Sequence, residues 1–206
     1  MTDPVPRSPA RATARRPLVV ATSNPGKLRE IQDILAACDV AVVGLPDLAA
    51  VEFPEEGGDY QDNAVAKARA AASQLGVRAL ADDSGLEVEG LAGAPGPYSA
   101  RYGGDHLDDA GRVQHLLDEL AARPGASRRA RFVCWAALVE PDGTSRTAFG
   151  ECAGAILEIA RGGGGFGYDP VFQPDGFGVS MAEVEDAVKN EISHRARALR
   201  ALLAAG

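Results

Sequence analysis

One short run constrains this chain more than any other: Ala79-Leu80-Ala81-Asp82-Asp83-Ser84-Gly85. An apolar stretch leads straight into two adjacent carboxylates, and Ser84-Gly85 reads as a tight turn behind them. Neighbouring residues on a strand point to opposite faces. Asp82 and Asp83 therefore cannot act as a parallel pair; one is placed to face a metal ion and the other to brace the turn. The competing reading, two acids that merely cap a turn, is weakened by the apolar run that feeds them.

Hydrophobic spacing around this run predicts alternating strands and helices. LVVAT reads as a buried strand, and KLREIQDILAA carries a helical stripe through Leu28, Ile31, Ile34 and Leu35. DVAVVGL is a second strand. Tyr60 to Leu75 is an Ala-rich helix closed by Gly76. After the DDSG strand, LDDAGRVQHLLDELAA is another helix. RFVCWAALVE and TSRTAFGECAGAILEI flank Pro141-Asp142-Gly143, a hairpin signal, and the first of them is apolar on both faces, as a mid-sheet strand is. FGYDPVF reads as a short extended piece, and Ser193 as the N-cap of a last helix. The order β-α-β-α-β-α-β-β-α predicts an α/β domain with a mixed sheet over residues 17–206. Residues 1–16 read as a disordered tail.

Composition narrows the function. The 206 residues carry a net charge of −8, which disfavours a nucleic-acid binder with a basic face. It leaves room for a small phosphorylated ligand held by a local cluster of donors. No apolar run approaches the ~20 residues that span a bilayer. Three widely spaced cysteines, Cys38, Cys134 and Cys152, read as buried reduced thiols of a cytoplasmic protein. His106 and His115 read as surface residues and Trp135 as a core indole.

Several short motifs could carry chemistry. Thr22-Ser23-Asn24-Pro25-Gly26-Lys27 follows a strand and opens a helix, where backbone N–H groups and a lysine make an anion site. It lacks the pattern of a Walker loop, and taken alone it is equally an ordinary capped turn. Glu55 and Glu56 lie on an acidic, Gly-rich loop. Asn63 and Lys67 share a helix face, placed to hold that loop and a phosphate. Mg²⁺ takes one or two carboxylates, waters and substrate phosphates, a need that Asp83 and Glu55 would meet. Phe166 and Tyr168 stand beside mobile glycines, where a ring could stack on a base or fill the core. Lys189, Ser193, His194 and Arg195 gather donors at a helix start, suited to reading a carbonyl-bearing ring.

In this order the motifs resemble the Ham1-like inosine triphosphate pyrophosphatases, also called XTP/dITP diphosphatases. The resemblance is carried by TSNPGK (22–27), EEGGDYQDNAVAKA (55–68), ADDSGLEVEGLAGAPGPYSARY (81–102), GFGYDPVF (165–172) and KNEISHR (189–195). It implies an elongated mixed sheet with helices in two lobes, an active-site cleft between them, and a homodimer. It also implies Mg²⁺-dependent hydrolysis of ITP, dITP or XTP to the monophosphate and pyrophosphate. Carried over by position, Thr22 to Lys27, Lys67 and Ser84 meet the nucleotide, Glu55 and Asp83 hold the metal, and Asp83 accepts the proton. Phe166, Gly167, Tyr168, Asp169, Lys189, His194 and Arg195 match the base-binding positions. Asp62 departs from the family's usual Glu, which shortens its reach by one methylene. Two other readings stay open: a nucleotide-binding module without turnover, and a Maf-like pyrophosphatase, which the SHR and FGYDP motifs disfavour.

Overall fold

The structure, a computed structural model, describes residues 18–45 and 50–205; the tail expected at 1–16 lies outside them. One mixed seven-stranded sheet organises these residues. β1 (Leu18–Val20), β2 (Val42–Gly44) and β3 (Ala79–Val88) run parallel in the order β2-β1-β3. β5 (Arg129–Val139), β6 (Ser145–Ile156) and β7 (Phe172–Pro174) extend the sheet antiparallel beyond β3, while β4 (Pro95–Gly96) pairs with its far end. The helices are α1 (Pro25–Ala36), α2 (Tyr60–Leu75), α3 (Asp109–Ala121), α4 (Asp186–Ile192) and α5 (His194–Ala204).

Local signals explain most of these elements. The Asn24 side chain accepts the Lys27 N–H and starts α1, with Pro25 in its first turn. Gly76 ends α2 in the left-handed region at φ +65°, which a side chain would resist. Ser193 caps α5 by accepting the Ala196 N–H. β5 lies mid-sheet, between β3 and β6, as its two apolar faces predict.

Four expectations need correction. Ser84-Gly85 is not a turn: β3 runs on to Val88, paired with β5 at Ser84–Cys134 and Gly85–Val133. Gly85 serves a close approach instead, because a Cβ there would sit 2.2 Å from the Gly96 carbonyl oxygen on β4. FGYDPVF is not simply extended; Asp169–Val171 makes a 3-10 turn before β7. Trp135 is half-buried against Phe149, and Cys38 is exposed, whereas Cys134 and Cys152 are buried free thiols.

The pleat of β3 sorts its residues. Ala79 and Ala81 face α2, where Ala64, Ala68, Ala71 and Ala72 allow helix and sheet to pack closely. Leu80 faces the other way, into a cluster with Ile31, Ile34 and Leu199 from α1 and α5. Further along that second face, Leu86 and Val88 join a separate cluster with Leu116, Phe132 and Phe172. Between the two clusters the same face of β3 presents Asp82 and Ser84. This polar break in an otherwise apolar face floors a cleft.

The short β1 opens the cleft from the side. β1 is paired with β3 only as far as Leu80, where the Ala21 N–H meets the Leu80 carbonyl at 2.7 Å. Among the described residues no strand covers that edge of β3 between Leu80 and Leu86. The chain leaves β1 towards α1 and β2, while β3 lies on its other side. In open α/β sheets, ligands bind at such a crevice beyond the carboxyl ends of the strands.

Candidate active site

Residues 22–27 fill the gap where β1 stops. Thr22 is buried and its Oγ1 accepts the Asn24 N–H at 3.2 Å; Asn24 Oδ1 accepts the Lys27 N–H at 3.0 Å. These two side chains are thus spent as acceptors in shaping the loop. Ser23, Asn24 and Pro25 are exposed at its tip, and Gly26 and Lys27 are half-buried behind it. A Cβ on Gly26 would meet the Phe166 ring at 2.8 Å, so glycine there lets the loop and the ring touch.

The two aspartates face opposite layers, as the pleat requires. Asp83 Oδ1 accepts from Lys67 Nζ at 2.8 Å and Oδ2 from Asn63 Nδ2 at 2.9 Å. Asn63 also exchanges two bonds with Gly57, 2.8 and 3.0 Å, which fastens the acidic loop to α2. Lys67 Nζ reaches Glu56 Oε1 at 2.9 Å and so joins the two acids. Burial works against the charge on Lys67, but Asp83 and Asp82 outweigh it and raise its pKa. Burial likewise opposes ionisation of Glu56, and Lys67 overcomes it to lower that pKa. Glu55, the acid expected at the metal, is exposed, and Glu56 takes the place beside Lys67.

Asp82 faces α1 and α5. Its Oδ2 accepts from Arg195 Nε and Nη2, both at 3.2 Å, and lies 3.4 Å from Lys27 Nζ. Burial would raise the carboxyl pKa; Lys27, Arg195 and Lys67 together hold it well below the usual range. Arg195 is fully buried and also donates to Ser84 Oγ at 2.9 Å and to Glu30. Four of its five N–H donors are therefore committed within the protein. Glu30 in turn lies 2.6 Å from Lys189 Nζ, which also donates to Asp169 at 2.5 Å. Burial lifts the Asp169 pKa in spite of Lys189.

The base-binding candidates do converge on one cleft of about 110 Å³. Its walls include Lys27, Ser84, Phe166, Lys189, His194 and Arg195. Phe166 and Tyr168 take different roles. Phe166 is half-buried, with Lys189 Nζ 5.3 Å and the Arg195 guanidinium 5.7 Å from its ring centre. Tyr168 belongs to the core, and its hydroxyl donates to the Ser99 carbonyl at 2.9 Å. Asp169 Oδ2 accepts the Phe166 N–H at 2.9 Å, and Asp109 at the start of α3 accepts the Gly167 N–H at 2.8 Å. The loop carrying Phe166 is thereby tied from both sides. His194 stacks on Phe132, with centroids 4.8 Å apart and planes 12° from parallel. Burial, then the neighbouring Arg195, pushes its pKa well below the ordinary value, so its ring is neutral. Its Nδ1 is buried without a protein partner, a polar atom left for a ligand.

Sequence reading alone passed over Glu30, Asp109 and the partnership of Asp82 with Arg195. Glu30 carried a signal: it lies three residues after Lys27 on α1, on the same helix face. Nothing local marks Asp82 and Arg195 as partners, because 113 positions separate them.

The chain is similar to known proteins over most of its length. The Ham1 family model matches residues 18–205. A curated dITP/XTP pyrophosphatase of Deinococcus deserti is 51% identical over 191 residues, covering 92% of this chain and 89% of that protein. One from Desulforamulus reducens is 46% identical over 184 residues, 89% of this chain and 92% of the other. The solved structure of a HAM1 protein from Coxiella burnetii superposes with a TM-score of 0.81 at 37% identity, covering 91% of this chain and 96% of that one. A nucleoside-triphosphatase / dITP/XTP pyrophosphatase from Mycobacterium abscessus gives a TM-score of 0.71 at 42% identity, over 91% and 99%. An acid-lined cleft at an open strand edge, on a chain matched from β1 to α5, belongs to a member of the Ham1 family.

Proposed function

We propose that this protein hydrolyses non-canonical purine nucleoside triphosphates, dITP, ITP and XTP, to the monophosphate and pyrophosphate. The observation that carries the reading is a single juxtaposition. At the open edge of β3, an anion-type loop and a ring-walled pocket lie on the Asp82 face, and a carboxylate–lysine–carboxylate group lies on the adjoining Asp83 face. The relatives' names as dITP/XTP pyrophosphatases support the same substrates.

Mg²⁺ fits the residues at hand. Among the described residues there is no cluster of three or more His, Cys, Asp or Glu side chains that could close around a metal. Magnesium needs fewer, keeping waters and taking substrate phosphate oxygens. Asp83 and Glu56 would hold it, in place of the pair Asp83 and Glu55, and when bound it would neutralise charge on the departing pyrophosphate.

The chain's own groups supply the rest. Asp83 accepts a proton from the attacking water, oriented by Asn63 and Lys67. Lys27 and Lys67 place fixed positive charge beside the phosphates. Phe166 stacks on the base while His194 offers its free nitrogen to the ring edge. Arg195 and Lys189, largely spent on carboxylates, act more as walls than as free readers of a carbonyl. Among the described residues no helix is long and apolar enough to cross a membrane. A homodimer in the cytoplasm, acting on free nucleotides rather than nucleic acid, completes the proposal.

The test is pyrophosphate release from dITP, ITP, XTP, GTP and ATP, with Mg²⁺ and with chelator. We expect metal-dependent release from the first three, about 100-fold or more above GTP and ATP. Equal rates on every purine would remove the base-reading role. No release from any would favour a binding module without turnover.

A further inference from the structure

Arg101 differs from every other cation of the cleft. Lys27, Lys67, Lys189 and Arg195 each lie within 3.4 Å of a buried or half-buried carboxylate, and Arg112 lies 2.6 Å from Asp109. Arg101 is held loosely. Its Nη2 is 3.5 Å from the Glu56 carbonyl and its Nη1 is 3.9 Å from Glu56 Oε2, both at the outer limit of such contacts. Its side chain is 42% exposed, and the guanidinium rests 5.1 Å from the centre of the Tyr98 ring.

The backbone beneath it, by contrast, is fixed. The 3-10 turn Ser99–Arg101 is pinned through Ser99, whose Oγ donates to the Gly96 carbonyl at 2.6 Å and accepts the Leu86 N–H at 2.9 Å. The Ser99 carbonyl accepts from Tyr168 as well. Ser99 and Ala100 line the cleft, so the turn delivers Arg101 to its rim. Its contacts with Glu56 put the guanidinium on the side where Glu56, Lys67 and Asp83 are joined.

A planar fork on a rigid base, with unspent donors and an aromatic plate behind it, suits bidentate recognition of phosphate. We propose that Arg101 is a further substrate-binding residue, gripping the outer phosphates that leave as pyrophosphate. It exchanges its weak contact with Glu56 for two charge-assisted bonds to the phosphoryl oxygens. Arg101 thereby makes the site select a triphosphate tail over a monophosphate. This inference rests on the pyrophosphohydrolase reading above.

The test compares Arg101→Gln and Arg101→Lys with the unaltered full-length protein. Calorimetric binding is measured for pyrophosphate and, separately, for inosine monophosphate, each with Mg²⁺. Arg101→Gln should weaken pyrophosphate binding about 10- to 100-fold and leave the monophosphate unchanged. Arg101→Lys should restore part of the loss, since it keeps charge without the fork. Unchanged pyrophosphate affinity in Arg101→Gln would overturn the proposal alone. So would an equal loss for both ligands, the mark of a structural role. If the unaltered protein binds neither ligand, the functional reading fails and this proposal falls with it.

Discussion

Asp82 and Asp83 are neighbours in sequence and both are buried, yet the two faces of β3 put them to opposite uses. On the Asp82 face, charge is balanced inside the protein: Arg195, Lys189, Glu30, Asp169 and Lys27 form a continuous chain of ion pairs. On the Asp83 face the balance is thinner. Lys67 serves two acids, and one of them, Glu56, is half-exposed on a loop. A network of buried ion pairs stiffens a wall and resists change, although Asp82 Oδ1 is buried without a protein partner. An acid whose partners open toward solvent can exchange them for a metal, a water or a phosphate. One step along a strand therefore separates scaffolding from chemistry.

The largest effect should come from the open face. Asp83→Asn keeps the side chain's size but removes the charge and one of its two acceptors, and we expect pyrophosphate release to fall about 10³-fold or more with the fold retained. Steady-state rates beside a circular dichroism spectrum check this. A smaller effect is expected at the pocket wall. Phe166→Ala should raise KM about tenfold with kcat little changed, since base–aromatic stacking contributes to binding. A loss confined to kcat would place Phe166 outside the base pocket.

The smallest effect sharpens the contrast through pH. His194 is buried and neutral in the folded protein, with its pKa pushed below the value of an unfolded histidine. Below about pH 6.5 the unfolded chain binds the extra proton and the folded chain resists it. Stability should therefore fall on acidification below that point, by up to about 1.4 kcal/mol per pH unit. Asp82 and Glu30 have lowered pKa values, so their contribution stays intact through this window and is lost only at lower pH. Urea unfolding at pH 7.5 and 5.5 should show the slope in the unaltered protein and a shallower one in His194→Gln.

Local chemistry made much of this molecule legible before its structure. The Ser193 cap, the Gly76 stop and the Pro141-Asp142-Gly143 hairpin each act within a few residues, and each is where the sequence places it. The opposed aspartates follow from the strand period alone. What stayed hidden depends on distant chain segments. Ser84-Gly85 looks like a turn because the demand for glycine comes from β4, eleven residues later. β4, β7 and α4 are too short to show a period. The division of labour between Phe166 and Tyr168 is decided by the Ser99 carbonyl, which no local pattern reveals. The choice of Glu56 over Glu55 at Lys67 depends on how Asn63 folds back the acidic loop.

The division between the two faces is tested most directly by measuring Asp82→Asn and Asp83→Asn side by side, for unfolding free energy and for pyrophosphate release. Asp82→Asn leaves Arg195 buried with Glu30 as its remaining acid, and should cost about 3 kcal/mol of stability. Asp83→Asn should cost clearly less stability and far more turnover per molecule of folded protein. If both variants lose stability and turnover in the same proportion, the two faces do the same work, and the separation of scaffold from chemistry is wrong.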